Sequence, residues 1–128
     1  MEYFLAILAA AFSFALNRLL VQKWEAVTIV ALAPVVEETA KTLSAYYAGA
    51  DILLAHFLFG LIEGAFDFWG GRREFRTRAA FFSLSGHSAF GALTVLVFQF
   101  SSSIVLALFT AIIAHIAWNA AANRLGKV

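Results

Sequence analysis

Two adjacent acids and a lysine, Glu37-Glu38-x-x-Lys41, sit in the middle of an oily stretch that runs from Ala26 to Ala48. Each acid or lysine carried to bilayer depth opposes insertion by roughly 2.5–3.5 kcal/mol, so the three together oppose it by on the order of 8 kcal/mol before pairing. A cluster of that cost is kept for a purpose, and the chemistry open to it is proton transfer. A buried carboxylate can take a proton from water while a second acid or an ammonium sets its protonation state. Lys41 lies four residues after Glu37 and three after Glu38, within one helical turn of both. An ion pair that only makes buried charge tolerable needs one acid, and here there are two. Glu37 and Glu38 point about 100° apart, so only one of them can face a given cavity squarely.

Other segments carry groups suited to the same chemistry. A stripe at helical spacing holds His56, Phe59, Gly60, Glu63 and Asp67. Glu63 falls at the depth of Glu37, Asp67 falls near the water interface, and His56, toward the other end, is read as an interfacial residue. Gly60 and Gly64 flank Glu63 as a small-xxx-small pair that lets a neighbouring helix come close. His87 stands in Ser85-Gly86-His87-Ser88. His115 and Asn119, four residues apart, share a helix face and offer a ring nitrogen and an amide to one oxygen atom. Pro34, one turn before the acids, removes a backbone hydrogen bond and is expected to bend its helix.

The elements that must position these groups are helices. The chain has 128 residues, of which 62% are hydrophobic and 13% charged, half the charge fraction of a soluble domain. Five apolar stretches can be marked, 3–21, 26–48, 52–69, 79–100 and 104–122, each long enough to cross a hydrocarbon core of roughly 30 Å. The expected fold is therefore all-α, a polytopic membrane bundle of about five transmembrane helices forming one integral-membrane domain over 1–128. Ala9-Ala10-Ala11 gives the first stretch a signal-peptide look. Glu2, the lack of a basic leading segment and Arg18 after the apolar run argue against cleavage.

Counted at 1.5 Å per residue from one membrane face, Glu37 lies about 17 Å deep, Glu63 about 10 Å, His87 about 12 Å and His115 about 10 Å. Four helices thus bring an ionisable group to one layer, on the side that holds the positive charge. Of nine Lys and Arg, eight (Arg18, Lys23, Arg72, Arg73, Arg76, Arg78, Arg124 and Lys127) fall on one side under the five-span topology, and the ninth is Lys41. The positive-inside rule places that side in the cytoplasm, with the N-terminus outside and the C-terminus cytoplasmic, in the cell membrane. The Arg72–Arg78 loop determines this topology and lies where anionic lipid heads are. A net charge of +1 leaves no basic face for nucleic acid, and the absence of cysteine excludes disulfides, thiolate ligands and a cysteine nucleophile.

The set Glu37-Glu38-x-x-Lys41, Phe59-x-x-x-Glu63, His87 and His115-x-x-x-Asn119 resembles the PrsW family of intramembrane proteases, within the wider clan of CAAX-processing and bacteriocin-processing (CPBP) membrane endopeptidases. The resemblance covers about Pro34 to Asn123. The wider clan shows Glu-Glu-x-x-x-Arg and Phe-x-x-x-His, whereas this chain has Lys41 at the shorter spacing and Glu63 in the histidine position. The resemblance implies an intramembrane endopeptidase that hydrolyses a peptide bond of a membrane-anchored protein or peptide. By that analogy Glu37 is the general base, His115 and Asn119 stabilise the oxyanion, Glu38 and Lys41 support the site, and Glu63 with His87 takes the place of the imidazole that orients water. A glutamate-activated water without cofactor is the favoured mechanism. The alternative is a zinc protease with His87, His115 and Glu63 as ligands and another glutamate as base. A proton-coupled transporter and a non-catalytic membrane scaffold are the rival classes. Expected partners are membrane lipid, the substrate and, in a homodimer, a second copy of the chain.

Overall fold

In the computed structural model, which describes residues 2–124, the chain forms five α-helices and, among the described residues, no strand. Helix α1 spans Glu2–Val27, α2 Ala33–Ala48, α3 Ile52–Gly70, α4 Arg76–Ser101 and α5 Ile104–Arg124. A π-helical turn, Thr28–Leu32, joins α1 to α2. Helices α1, α3, α4 and α5 are each long and apolar enough to cross a membrane. Their order and type agree with the all-α polytopic reading, whereas α2, with 16 residues, falls short of the span expected over 26–48.

The expected break between the first two stretches, at about residues 22–25, is absent. Gln22-Lys23-Trp24-Glu25 contains neither glycine nor proline, and α1 continues through it. The distortion falls later, just ahead of Pro34, whose missing N–H cannot serve the carbonyl one turn earlier. Where α1 gives way to the π-helical turn, the chain doubles back. Asn17 and Glu37 would be about 30 Å apart on a straight helix, yet their side chains are hydrogen-bonded at 2.9 Å. The other ends behave conventionally. Gly49 closes α2 in the left-handed conformation (φ 65°), Asp51 caps α3 by accepting from the Leu54 N–H at 2.9 Å, and Ser102 (φ 54°) ends α4.

The polarity of the bundle is inverted relative to a water-soluble protein. Glu38, Thr42 and His56 are fully buried and Lys41 is 1% exposed, while Phe100 is 89% and Val105 73% exposed. Large apolar side chains on the outside and charge on the inside are what a hydrocarbon solvent selects. The apolar core is correspondingly small, with Phe59, Ala9 and Ala10 at its centre. Helix α2 packs against α1, α3 and α5, and α3 lies most closely on α4. That close approach depends on glycine. A Cβ at Gly60 would stand 2.9 Å from the His87 Cβ, and one at Gly91 2.6 Å from the His56 Cβ.

Candidate active site at the centre of the bundle

Because successive residues of α2 diverge, its two acids do different things. Glu38 points into the densest part of the bundle. Its Oε1 accepts from the Lys41 ammonium at 2.7 Å and from His115 Nδ1 at 2.9 Å. An ionised carboxylate only accepts, so His115 carries its proton on Nδ1 and turns Nε2 the other way. Glu37 faces a cavity of about 380 Å³, lined also by Asn17, Glu63, His87, His115 and Asn119. The amide of Asn17 donates to Glu37 Oε1. Glu37 Oε2 stands 3.9 Å from His115 Nε2 and 4.0 Å from His87 Nε2. Those gaps are too long for direct hydrogen bonds and suit a water held between the groups.

Lys41 is the hub of the polar layer. Besides Glu38 it reaches His87 Nδ1 at 2.7 Å, and its ammonium lies 4.4 Å from the centre of the Phe59 ring. An ammonium can only donate, so His87 Nδ1 accepts and its proton sits on Nε2, which donates to Glu63. Glu63 thus meets the site through His87. The cavity walls are aromatic: Phe90 stacks on His115 with ring centres 4.5 Å apart, and Phe82 packs edge-on against Trp118.

All seven residues singled out from the sequence as site residues, Glu37, Glu38, Lys41, Glu63, His87, His115 and Asn119, converge here, five on the cavity and two, Glu38 and Lys41, behind it. Two of the expected surroundings need correction. His56 is not interfacial: it is fully buried, with Nε2 3.0 Å from the Thr42 hydroxyl and Nδ1 3.6 Å from Glu38 Oε2. Asp67 is half-buried rather than simply solvated, accepts from the Ser83 hydroxyl and lines the cavity. Asn17 is an addition. Its signal was an amide in an apolar span, one turn after Ser13 on the same helix face.

The trio of possible ligands also differs from His87, His115 and Glu63. The groups whose donor atoms all lie within 4.8 Å of one another are Glu37, His87 and His115. His115 is oriented as a metal-binding imidazole would be, with Nδ1 on a carboxylate and Nε2 turned to the cavity. His87 is not. A metal on its Nε2 would require a proton on Nδ1, aimed at the Lys41 ammonium 2.7 Å away, and the loss of the bond to Glu63. A metal at Glu37, His87 and His115 would therefore require His87 to change its tautomer and its partners. Comparison with protein-family models, with curated proteins and with solved structures gave no match.

Proposed function

We propose that the protein is an intramembrane endopeptidase that hydrolyses a peptide bond of a membrane-anchored protein or peptide by a glutamate-activated water. The observation that carries this reading is the arrangement of Glu37. One carboxylate oxygen is fixed by Asn17, and the other faces two imidazoles across gaps of 3.9 and 4.0 Å at the wall of a cavity. The resemblance to the PrsW family supports the same assignment of roles. In this reading Glu37 Oε2 takes a proton from water as the oxygen attacks the carbonyl carbon. The proton then passes to the amide nitrogen as the C–N bond breaks. With Nδ1 committed to Glu38, the neutral His115 ring turns an acceptor Nε2 to the cavity and holds the attacking water, while in this reading the Asn119 amide, one turn along α5 on the same cavity, donates to the carbonyl oxygen as it gains charge. The cavity serves a cytoplasmic-side substrate, with the arginine-rich link between α3 and α4 on the cytoplasmic side, as its positive charge favours.

The decisive experiment is the hydrolysis of a model transmembrane substrate by the purified full chain and by Glu37→Gln. The substitution keeps shape and removes basicity, and we expect a loss of about 10²- to 10⁴-fold in kcat with substrate binding retained. Equal rates would refute the role of Glu37. A metal analysis runs beside it: hydrolysis that survives chelation is expected, and stoichiometric metal with chelator-sensitive turnover would transfer the role to a Glu37, His87 and His115 centre.

A further inference from the structure

We infer that His56 is a positioning residue of the site, whose Nδ1 proton holds the Glu38 carboxylate in the orientation that His115 needs. Its role in turnover rests on the peptidase reading; its placement does not. Among the described residues four buried side-chain polar atoms lack a hydrogen-bonding partner, and two of them are Glu38 Oε2 and His56 Nδ1. They face each other at 3.6 Å. Glu38 Oε1 is already shared by Lys41 and His115, so Oε2 has His56 as its neighbour.

The chemistry of the ring settles which nitrogen carries hydrogen. Nε2 lies 3.0 Å from the Thr42 hydroxyl, which can donate or accept. Were Nε2 protonated, Nδ1 and the carboxylate oxygen would face each other as two lone pairs at 3.6 Å, both buried. With the hydroxyl donating to Nε2, Nδ1 bears the proton and points at Oε2. A movement of about 0.5 Å then closes a normal hydrogen bond. The seat is made for this ring. Gly91 on α4 lets the His56 Cβ come closer than any side chain at that position would permit, a Cβ there falling 2.6 Å away. Through Glu38 the constraint reaches His115, whose Nε2 faces Glu37 Oε2 at 3.9 Å. His56 touches none of the reacting atoms and acts through these two residues.

The test uses the full chain in detergent micelles with three substitutions, His56→Leu, His56→Asn and Gly91→Ala. In the parent, ¹⁵N-histidine NMR should find His56 as the Nδ1–H tautomer, and in His56→Leu the His115 resonances should move. Against a model transmembrane substrate, His56→Leu should lower kcat by about 10- to 100-fold with KM unchanged. His56→Asn keeps an N–H close to the Nδ1 position and should recover most of that loss. Gly91→Ala, which displaces the ring without removing it, should act like a milder His56→Leu. An Nε2–H tautomer, an unmoved His115 signal, or equal losses in the Asn and Leu variants would overturn the inference. If His56→Leu does not fold, the Asn and Gly91→Ala variants and the parent tautomer decide. If no form of the chain hydrolyses peptide, the peptidase reading fails while the tautomer and the His115 response still judge His56.

Discussion

Under the proposed peptidase reading, the neutral Asn17 side chain has a part in orienting Glu37. A carboxylate that must collect a proton from one direction works best when its other oxygen is tied, and the Asn17 amide does the tying at 2.9 Å. Asn17→Leu should therefore lower kcat by about tenfold with little change in KM, read by steady-state kinetics, because the loss is one of orientation. Lys41 makes the opposite case, where removal breaks structure. Its ammonium contacts Glu38 and His87, and the side chain is 1% exposed. Lys41→Met leaves a buried carboxylate uncompensated and should destabilise the fold by about 3–5 kcal/mol, measured by reversible unfolding in mixed micelles. Lys41→Arg should not restore it, since a planar guanidinium needs room that the Phe59 face and two close acceptors deny.

At the scale of helices, the site depends on how closely α3 and α4 approach. Gly60→Ala would set a methyl 2.9 Å from the His87 Cβ and 3.1 Å from the Ser83 carbonyl oxygen. We expect it to cost about 1–3 kcal/mol of stability and, by tilting His87 away from Glu63, to lower turnover as well. Unfolding and kinetic measurements on one preparation check both. The helices themselves were legible in the sequence: α3, α4 and α5 begin and end within three residues of the expected stretches, because apolar length punctuated by Gly49, Gly70 and Gly71, and Ser101-Ser102-Ser103 leaves little choice. The α1–α2 junction was legible only in part: Pro34 marked a bend, but nothing in the sequence placed the reversal at Thr28–Leu32 rather than at residues 22–25. The site followed the same division. Ionisable residues announced themselves by their insertion cost. His56 lies near one end of α3, yet it shares the inward stripe of Phe59 and Glu63, and its burial follows the stripe rather than the depth. Asn17 bears no charge, and nothing in its own span marked the partner that makes it matter.

For the molecule as a whole, topology offers a test free of background, because the chain contains no cysteine. Glu74 lies in the link between α3 and α4, and Ser101 at the far end of α4, both exposed. With Glu74→Cys and Ser101→Cys in membrane vesicles of known orientation, an impermeant maleimide should label the first from the cytoplasmic side and the second from outside. Labelling of both from one side would remove α4 as a membrane span.

The π-helical turn Thr28–Leu32 carries a further consequence, for what the gene can tolerate. Shortening it by one residue would slide the following helix by a step and rotate it by about 100°. Glu38 would then stand in the place of Glu37, Thr39 in that of Glu38, and Thr42 in that of Lys41. Codon-length insertions and deletions in this stretch should therefore abolish function as completely as loss of the acids.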